Sequence, residues 1–222
     1  MNTNRAEYLP HEGVMLEEIS SIIKDVPTGN FVDATYGFGS HFNLSTIHDH
    51  LNFIGFDRDL ESINNSNNVH NVYHLNFSDI YKFLSQNNHL PLSGIMYDFG
   101  LSSHQIDSKH RGFSFQNNSP LDMRMDMLQD LSAASIVNNY SEEKLTKVLK
   151  AYSEDRYSNK ISKKIIESRP VLTTNELVKA IKEALPRQNP IFTEKTIRRI
   201  FQALRIEAVS YTHLTLPTKR IV

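Results

Sequence analysis

Cysteine is absent from the 222 residues, which excludes a disulfide framework and any thiolate metal site. Long hydrophobic runs are absent as well. The longest, such as Gly94 to Tyr97 and Phe53 to Phe56, fall far short of the roughly 20 apolar residues that cross a bilayer. No apolar stretch of the secretory kind follows the N-terminal charges, so a cytoplasmic protein is expected. Internal repeats are missing, and the Asn-rich stretch from Asn64 to Asn71 is too short to count as low complexity. Basic residues are scarce in the first 140 positions: 7 Lys and Arg stand against 16 Asp and Glu, a net of −9. They are concentrated in residues 141–222, where 17 stand against 9, a net of +8. The overall charge of −1 hides two parts suited to different partners. A basic part neutralises phosphates by counterion release, which suits a nucleic acid; solvated helix faces are the plainer explanation, and the composition does not choose between them. A hydrophobic content of 39% with 22% charged residues excludes wholesale disorder. The length allows one large domain or two modest ones.

Short apolar runs alternate with helical stretches in the first hundred residues. Strands are predicted at Phe31 to Ala34, Phe53 to Asp57, Val72 to Leu75 and Ile95 to Asp98. Helices are predicted between them, starting at Ser40 to His48, at Leu60 to Asn65 and at Ser78 to Leu84. This alternation implies a parallel sheet covered by helices on both faces. From Leu101 to Met127 the chain is dense in Ser, Asn, Asp, Pro and Gly. It also carries Phe113, Phe115, Leu121, Met123 and Met125, which predicts an ordered loop with its own anchors. Beyond Ser132 the pattern is helical: Ala133 to Val137, Glu142 to Tyr152, Asn159 to Ser168, Thr174 to Leu185 and Thr193 to Ala208. Thr173 or Thr174, and Thr193, are the candidate N-caps.

Asp33-Ala34-Thr35-Tyr36-Gly37-Phe38-Gly39-Ser40-His41 follows the first strand and opens a helix, where glycines permit a sharp turn and close approach of a ligand. Gly-x-Gly alone is weak evidence. Its weight rises because Asp57 stands 20 residues after Gly37, at the end of the next strand, where a carboxylate accepts hydrogen bonds from a ribose diol. The third glycine of a dinucleotide fingerprint falls at Phe42, which disfavours a pyrophosphate. Asp33 adds negative charge, which suits a sulfonium with its ammonium group. A tight turn that binds nothing is the alternative. Asp98-Phe99-Gly100-Leu101-Ser102-Ser103-His104-Gln105 follows the fourth strand, so Asp33, Asp57 and Asp98 should meet on one rim. Asp-Phe-Gly has no glycine-rich loop with a strand lysine and no His-Arg-Asp loop beside it, so a kinase is excluded. Of the ten His, none form a pair with obvious ligand spacing on a predicted helix except His48 and His50, which are expected at the surface; no metal site is predicted.

His11 to Leu16, Asp33 to His41, Gly55 to Asp59, Asn76 to Ser78, Asp98 to Asp107, Arg111 to Phe115, Pro120 to Asp126 and Phe201 to Ile206 together resemble the bacterial 16S rRNA cytosine N4-methyltransferases. The resemblance spans residues 8 to 208, and the run from Arg111 through Asp126 is its most specific part, since no general fold requirement dictates such a string. It implies an α/β class I methyltransferase, with a Rossmann-like parallel sheet over residues 1–108 and an inserted loop and helical domain for substrate over 109–208. The implied cofactor is S-adenosyl-L-methionine, and the implied partner is 16S rRNA or the small ribosomal subunit. Cofactor contacts would fall on Gly39, Ser40 and His41 in the turn, Asp57 at the ribose, Phe77 and Asp98 around the adenine and methionine ends, and Gln105 in the loop. The catalytic residue stays open: Asp98 would accept the proton or a hydrogen bond of a poorly nucleophilic amine, or serve the cofactor alone.

Phe113 and Phe115, beside Arg111 and Arg124, suit stacking and phosphate contact with a flipped nucleotide; anchoring of the loop is the favoured alternative for each ring. Lys160, Lys163, Lys164, Arg198 and Arg199 would supply further phosphate contacts. Ser40 stands in place of a usual glycine, His104 of a usual proline and Phe99 of a usual leucine. Residues 209–222 depart from the family, so a C-terminally truncated chain with an atypical tail and no closing strands is expected, exposing a sheet edge. A nicotinamide-dependent oxidoreductase and an inactive RNA-binding fragment are the rival readings.

Overall fold

The computed structural model describes residues 13–64, 71–101, 105–106, 108–186 and 189–209. Contacts divide the chain into two compact units between 102 and 103, compared with an expected boundary after 108. Residues 209–222, expected to form an atypical tail, lie outside the described residues apart from Val209, and the expectation is not tested there.

The first unit opens with α1 (Leu16–Ile23), followed by β1 (Gly29–Asp33), β2 (Leu51–Asp57), α2 (Leu60–Asn64), β3 (Val72–His74), α3 (Ile80–Gln86) and β4 (Leu92–Met96). All strand pairs are parallel, in the order β3-β2-β1-β4. Side-chain alternation explains why both faces are covered. Phe31 and Phe53 join Ile23, Phe42 and Leu44 on one face, beside Leu16 and Ile19 of α1. Their neighbours in sequence, Val32 and Ile54, join Phe56, Ile80 and Leu84 on the other, beside Phe83 of α3. Successive strand residues point to opposite faces, so a continuous apolar run is what a sheet buried on both sides requires.

Two elements differ from expectation. The stretch after the glycine turn forms a short 3-10 helix, Phe42–Thr46, where an α-helix start was predicted from Ser40. Asn, Ser and Thr there offer local hydrogen bonds that compete with a helix, and the Thr46 hydroxyl donates to the Asn43 carbonyl at 2.8 Å. The fourth strand ends at Met96 and begins at Leu92, earlier than predicted, which leaves Asp98 beyond the strand in the loop. Hydrogen bonding to β1 is what sets those limits, since Asn30 pairs with Leu92 and Asp33 with Met96.

The second unit begins with the loop. Phe113, Leu121, Met123 and Met125 are buried as anchors, and residues 119–121 run antiparallel to 172–174. Among the described residues five helices follow: α4 (Ala133–Asn139), α5 (Glu142–Ser153), α6 (Ser158–Glu167), α7 (Thr174–Ala184) and α8 (Pro190–Val209). Their buried residues recur with helical spacing, as with Leu145, Val148 and Leu149 in α5, or Ile197, Ile200, Phe201 and Leu204 in α8. Thr173 caps α7 in a reciprocal pair with Glu176. Thr193 is not the cap of α8. The helix starts three residues earlier, with Pro190 in its first turn and the Asn189 side chain accepting from the Ile191 amide at 2.9 Å. Among the described residues no helix is long and apolar enough to cross a membrane.

Candidate active site

The site is built from the turn that follows β1. Gly39 has a φ of 79°, and a Cβ there would lie 2.7 Å from the Tyr36 hydroxyl oxygen, so this position needs glycine for both conformation and space. The turn is tied to β2 through Asp57, whose Oδ2 accepts from the Gly37 amide at 2.6 Å while its Oδ1 accepts from the Asp59 amide at 2.8 Å. It is tied to the loop after β4 through Thr35, whose hydroxyl oxygen accepts from the Asp98 amide at 2.7 Å. His41 closes the arrangement: its Nε2 lies 2.9 Å from the Val14 carbonyl, and its Nδ1 lies 4.0 Å from Asp98 Oδ2.

Asp33, Asp57 and Asp98 therefore reach the same edge of the sheet, the carboxyl ends of the strands. Asp33 is fully buried at 0% exposure. Its Oδ1 accepts from the Thr35 amide at 3.1 Å, and its Oδ2 is a buried oxygen with no hydrogen-bond partner among the described residues. Burial raises its pKa to about 6, and the charges of Asp57 and Asp98 push the same way. Burial also raises Asp57 to about 6, opposed by the backbone amides that donate to it. An electron-rich sheet edge with one orphaned carboxylate oxygen fits a cationic ligand. The short 3-10 turn after Gly39 offers no long helix whose terminus would favour a pyrophosphate.

Six of the seven expected cofactor residues lie in this first unit. Gly39, Ser40, His41 and Asp57 sit in or against the turn. Asp98 is half exposed beside His41. Phe77 packs edge-on against Phe99 at 6.3 Å between centroids, and Phe99 stacks on Tyr97 at 5.4 Å. Gln105 is buried and belongs to the second unit; Ser102, Ser103 and His104 lie outside the described residues, as does Asp107. Thr35, Tyr36 and Val14 were not singled out individually. Thr35 and Tyr36 stand inside the glycine turn, but only the fold brings Thr35 against a residue 63 positions away.

The arginines of the loop are engaged by the loop itself. Arg111 is buried and donates from Nη2 to the carbonyls of Arg124 and Met125 at 2.8 and 2.9 Å. Arg124 pairs with both oxygens of Asp122 at 2.9 and 2.7 Å and donates to the Gln129 carbonyl at 2.7 Å. Both hold the loop in shape, so the expected phosphate role is corrected. Phe113 is buried and Phe115 packs against Phe201 at 5.5 Å, which makes them anchors. His48 is buried rather than at the surface, with its Nε2 2.8 Å from the Ser20 hydroxyl.

A sequence model of the MraW methylase family matches residues 8–211. The chain is 38% identical to the ribosomal RNA small subunit methyltransferase H of Clostridioides difficile (strain 630), over 89% of this chain and 67% of that protein. It is 40% identical to the protein of the same name from Halothermothrix orenii, and 39% identical to that from Mycoplasma mycoides subsp. mycoides SC; these alignments cover 89% and 88% of this chain, and 67% of each relative. The glycine turn, the paired carboxylates and the helical second unit all fall within the matched region, and the chain belongs to the MraW methylase family.

Proposed function

We propose that this chain transfers a methyl group from S-adenosyl-L-methionine to the exocyclic N4 amine of a cytidine in small-subunit 16S rRNA. The observation that carries the reading is the buried, unpartnered oxygen of Asp33 beside Asp57 and Asp98, at the turn where a cofactor of this family would lie. When bound, the cofactor supplies an electrophilic methyl group on a sulfonium.

Each residue then has a defined task. Asp57 would accept hydrogen bonds from the ribose diol with the lone pairs that the Gly37 and Asp59 amides leave available. Asp33 would place negative charge near the ammonium and sulfonium of the ligand. Phe77 would offer an apolar face to the adenine. Gly39 and Ser40 would bring backbone to the methionine end, and His41 would hold Val14 and Asp98 in register there. Asp98, half exposed, is the candidate acceptor for the proton or hydrogen bond of the cytosine amine, whose lone pair is delocalised into its ring. The substrate follows from the names of the relatives and from the net +8 of residues 141–222, and a cytoplasmic setting goes with that substrate.

Calorimetry on the purified chain tests the cofactor half of the proposal. S-adenosyl-L-methionine is expected to bind, and Asp57→Ala is expected to weaken it at least 10-fold. A folded parent chain that bound NADH instead would overturn the proposal. Methyl transfer to cytidine N4 in small-subunit rRNA, read by mass spectrometry of the nucleosides, tests the other half.

A further inference from the structure

The turn between α5 and α6 carries an arginine and aromatic cluster that none of the site residues above includes. The Arg156 guanidinium carbon lies 4.8 Å from the centroid of Tyr157 and 5.3 Å from that of Phe192, while the two rings meet edge-on at 5.9 Å. Arg156 is exposed and both rings are half-buried. The cluster is built on a rigid base. Buried Asp155 accepts from the Tyr157 amide at 2.9 Å through Oδ1 and from the Thr196 hydroxyl at 3.0 Å through Oδ2, so it fastens the turn to α8, which carries Phe192. Other cations of this unit are engaged by carboxylates: Lys164 pairs with Glu183 at 2.9 Å and Arg198 with Glu194 at 2.5 Å. Lys144 lies over the ring of Tyr140 and Arg198 over that of Phe115, whereas Arg156 stands over two rings at once.

Basic residues lead away from the cluster along both helices. Lys160 follows Arg156 by one turn on α6, and Lys195 follows Phe192 by three residues on α8; both are exposed. We propose that Arg156, backed by Tyr157 and Phe192, is a stacking platform for an unpaired RNA base, with the strand's phosphates running past Lys160 and Lys195. This rests on the reading of the chain as an RNA-modifying enzyme, and supplies the base contact that the buried Phe113 and the anchored Phe115 do not. A guanidinium held against two rings has little freedom left to lose when a base stacks on it. Every base has a π face, and a duplex hides those faces, so the platform selects single strands without reading sequence.

Fluorescence anisotropy with a labelled, unstructured RNA oligonucleotide, and with a duplex of the same length, tests the platform on the full chain. Arg156→Gln and Phe192→Leu are each expected to weaken single-strand binding about 10-fold, with duplex binding changed less than about 2-fold. Calorimetry with S-adenosyl-L-methionine should be unchanged in both variants, which separates this proposal from the cofactor reading. Arg156→Gln alters only an exposed side chain, so it remains informative should Phe192→Leu lower stability, as a melting curve would reveal. The platform is refuted by variants that bind the single strand like the parent, by equal losses for single strand and duplex, or by a cofactor-binding parent with no affinity for the oligonucleotide.

Discussion

Asp33 is a carboxyl that the fold holds out of water, and the direction of its pKa sets a pH dependence. Its folded value of about 6 lies above its ordinary value of 3.8, so the folded state binds the proton more tightly. That contribution to stability is complete below about pH 4 and is lost as pH rises through about 6, amounting to at most roughly 3 kcal/mol. Urea unfolding of the cofactor-free chain between pH 4 and 8 should show stability falling across this window, and Asp33→Asn should remove about half of the fall, leaving the part that Asp57 contributes in the same range, while weakening S-adenosyl-L-methionine. A flat parent profile would remove the case for a strained, buried carboxyl. Arg111 gives a second residue-scale expectation. Its two charge-assisted bonds to the carbonyls of Arg124 and Met125 sit inside the loop, so Arg111→Ala should destabilise by about 3 kcal/mol in the same assay. A phosphate ligand would instead leave stability untouched. Sequence patterns named both residues, but could not distinguish an arginine aimed at RNA from one aimed at its own loop. The two differ only in where the Arg124 and Met125 carbonyls point.

Helices of the second unit show how local chemistry sets element limits. Their apolar spacing was legible because each helix buries one stripe, whereas the choice between Thr173 and Thr174 as the cap of α7 fell to the structure, where Thr173 and Glu176 bond reciprocally. The start of α8 was misplaced because Thr193 is a good cap type in isolation, while Asn189 followed by Pro190 is the better one. Asn189→Ala should therefore lower stability by about 1 kcal/mol, whereas Thr193→Ala should stay within about 0.5 kcal/mol. Thermal melts of the two variants decide it, and the reverse order would restore the later start. The 3-10 turn after Gly39 is the counterpart in the first unit. A helical pattern was predicted there, and side-chain hydrogen bonds from residues such as Thr46 took the backbone elsewhere.

At the scale of the molecule, charge separates the two parts of the chain. The acidic part contains the carboxylate edge, and the basic part contains exposed lysines such as Lys160 and Lys163 on α6. Binding to single-stranded RNA should weaken with salt, with a slope in log affinity of about −0.7 per phosphate neutralised. Replacing Lys160 and Lys163 together by Ala should reduce that slope by roughly 1.4 if both meet phosphate. An unchanged slope would assign them to the solvated face of α6. The family match spans residues 8–211, which include all four strands and the helices of the second unit, and the chain covers about two thirds of the length of its relatives.

By itself the sequence determined the parallel α/β class, the glycine turn with Asp57 at the end of the next strand, and the family. These follow from short-range patterns: alternating apolar runs, a fixed spacing of 20 residues, and local strings such as Arg111 to Asp126. Tertiary structure alone decided that Thr35 holds the Asp98 amide, that Asp33 keeps one oxygen unpartnered, that Arg111 and Arg124 serve their own loop, and that Arg156 meets Phe192. Each of these is a matter of which distant backbone or ring lies within hydrogen-bonding or van der Waals reach. That distance is set by the packing of whole elements, and no spacing along the chain encodes it.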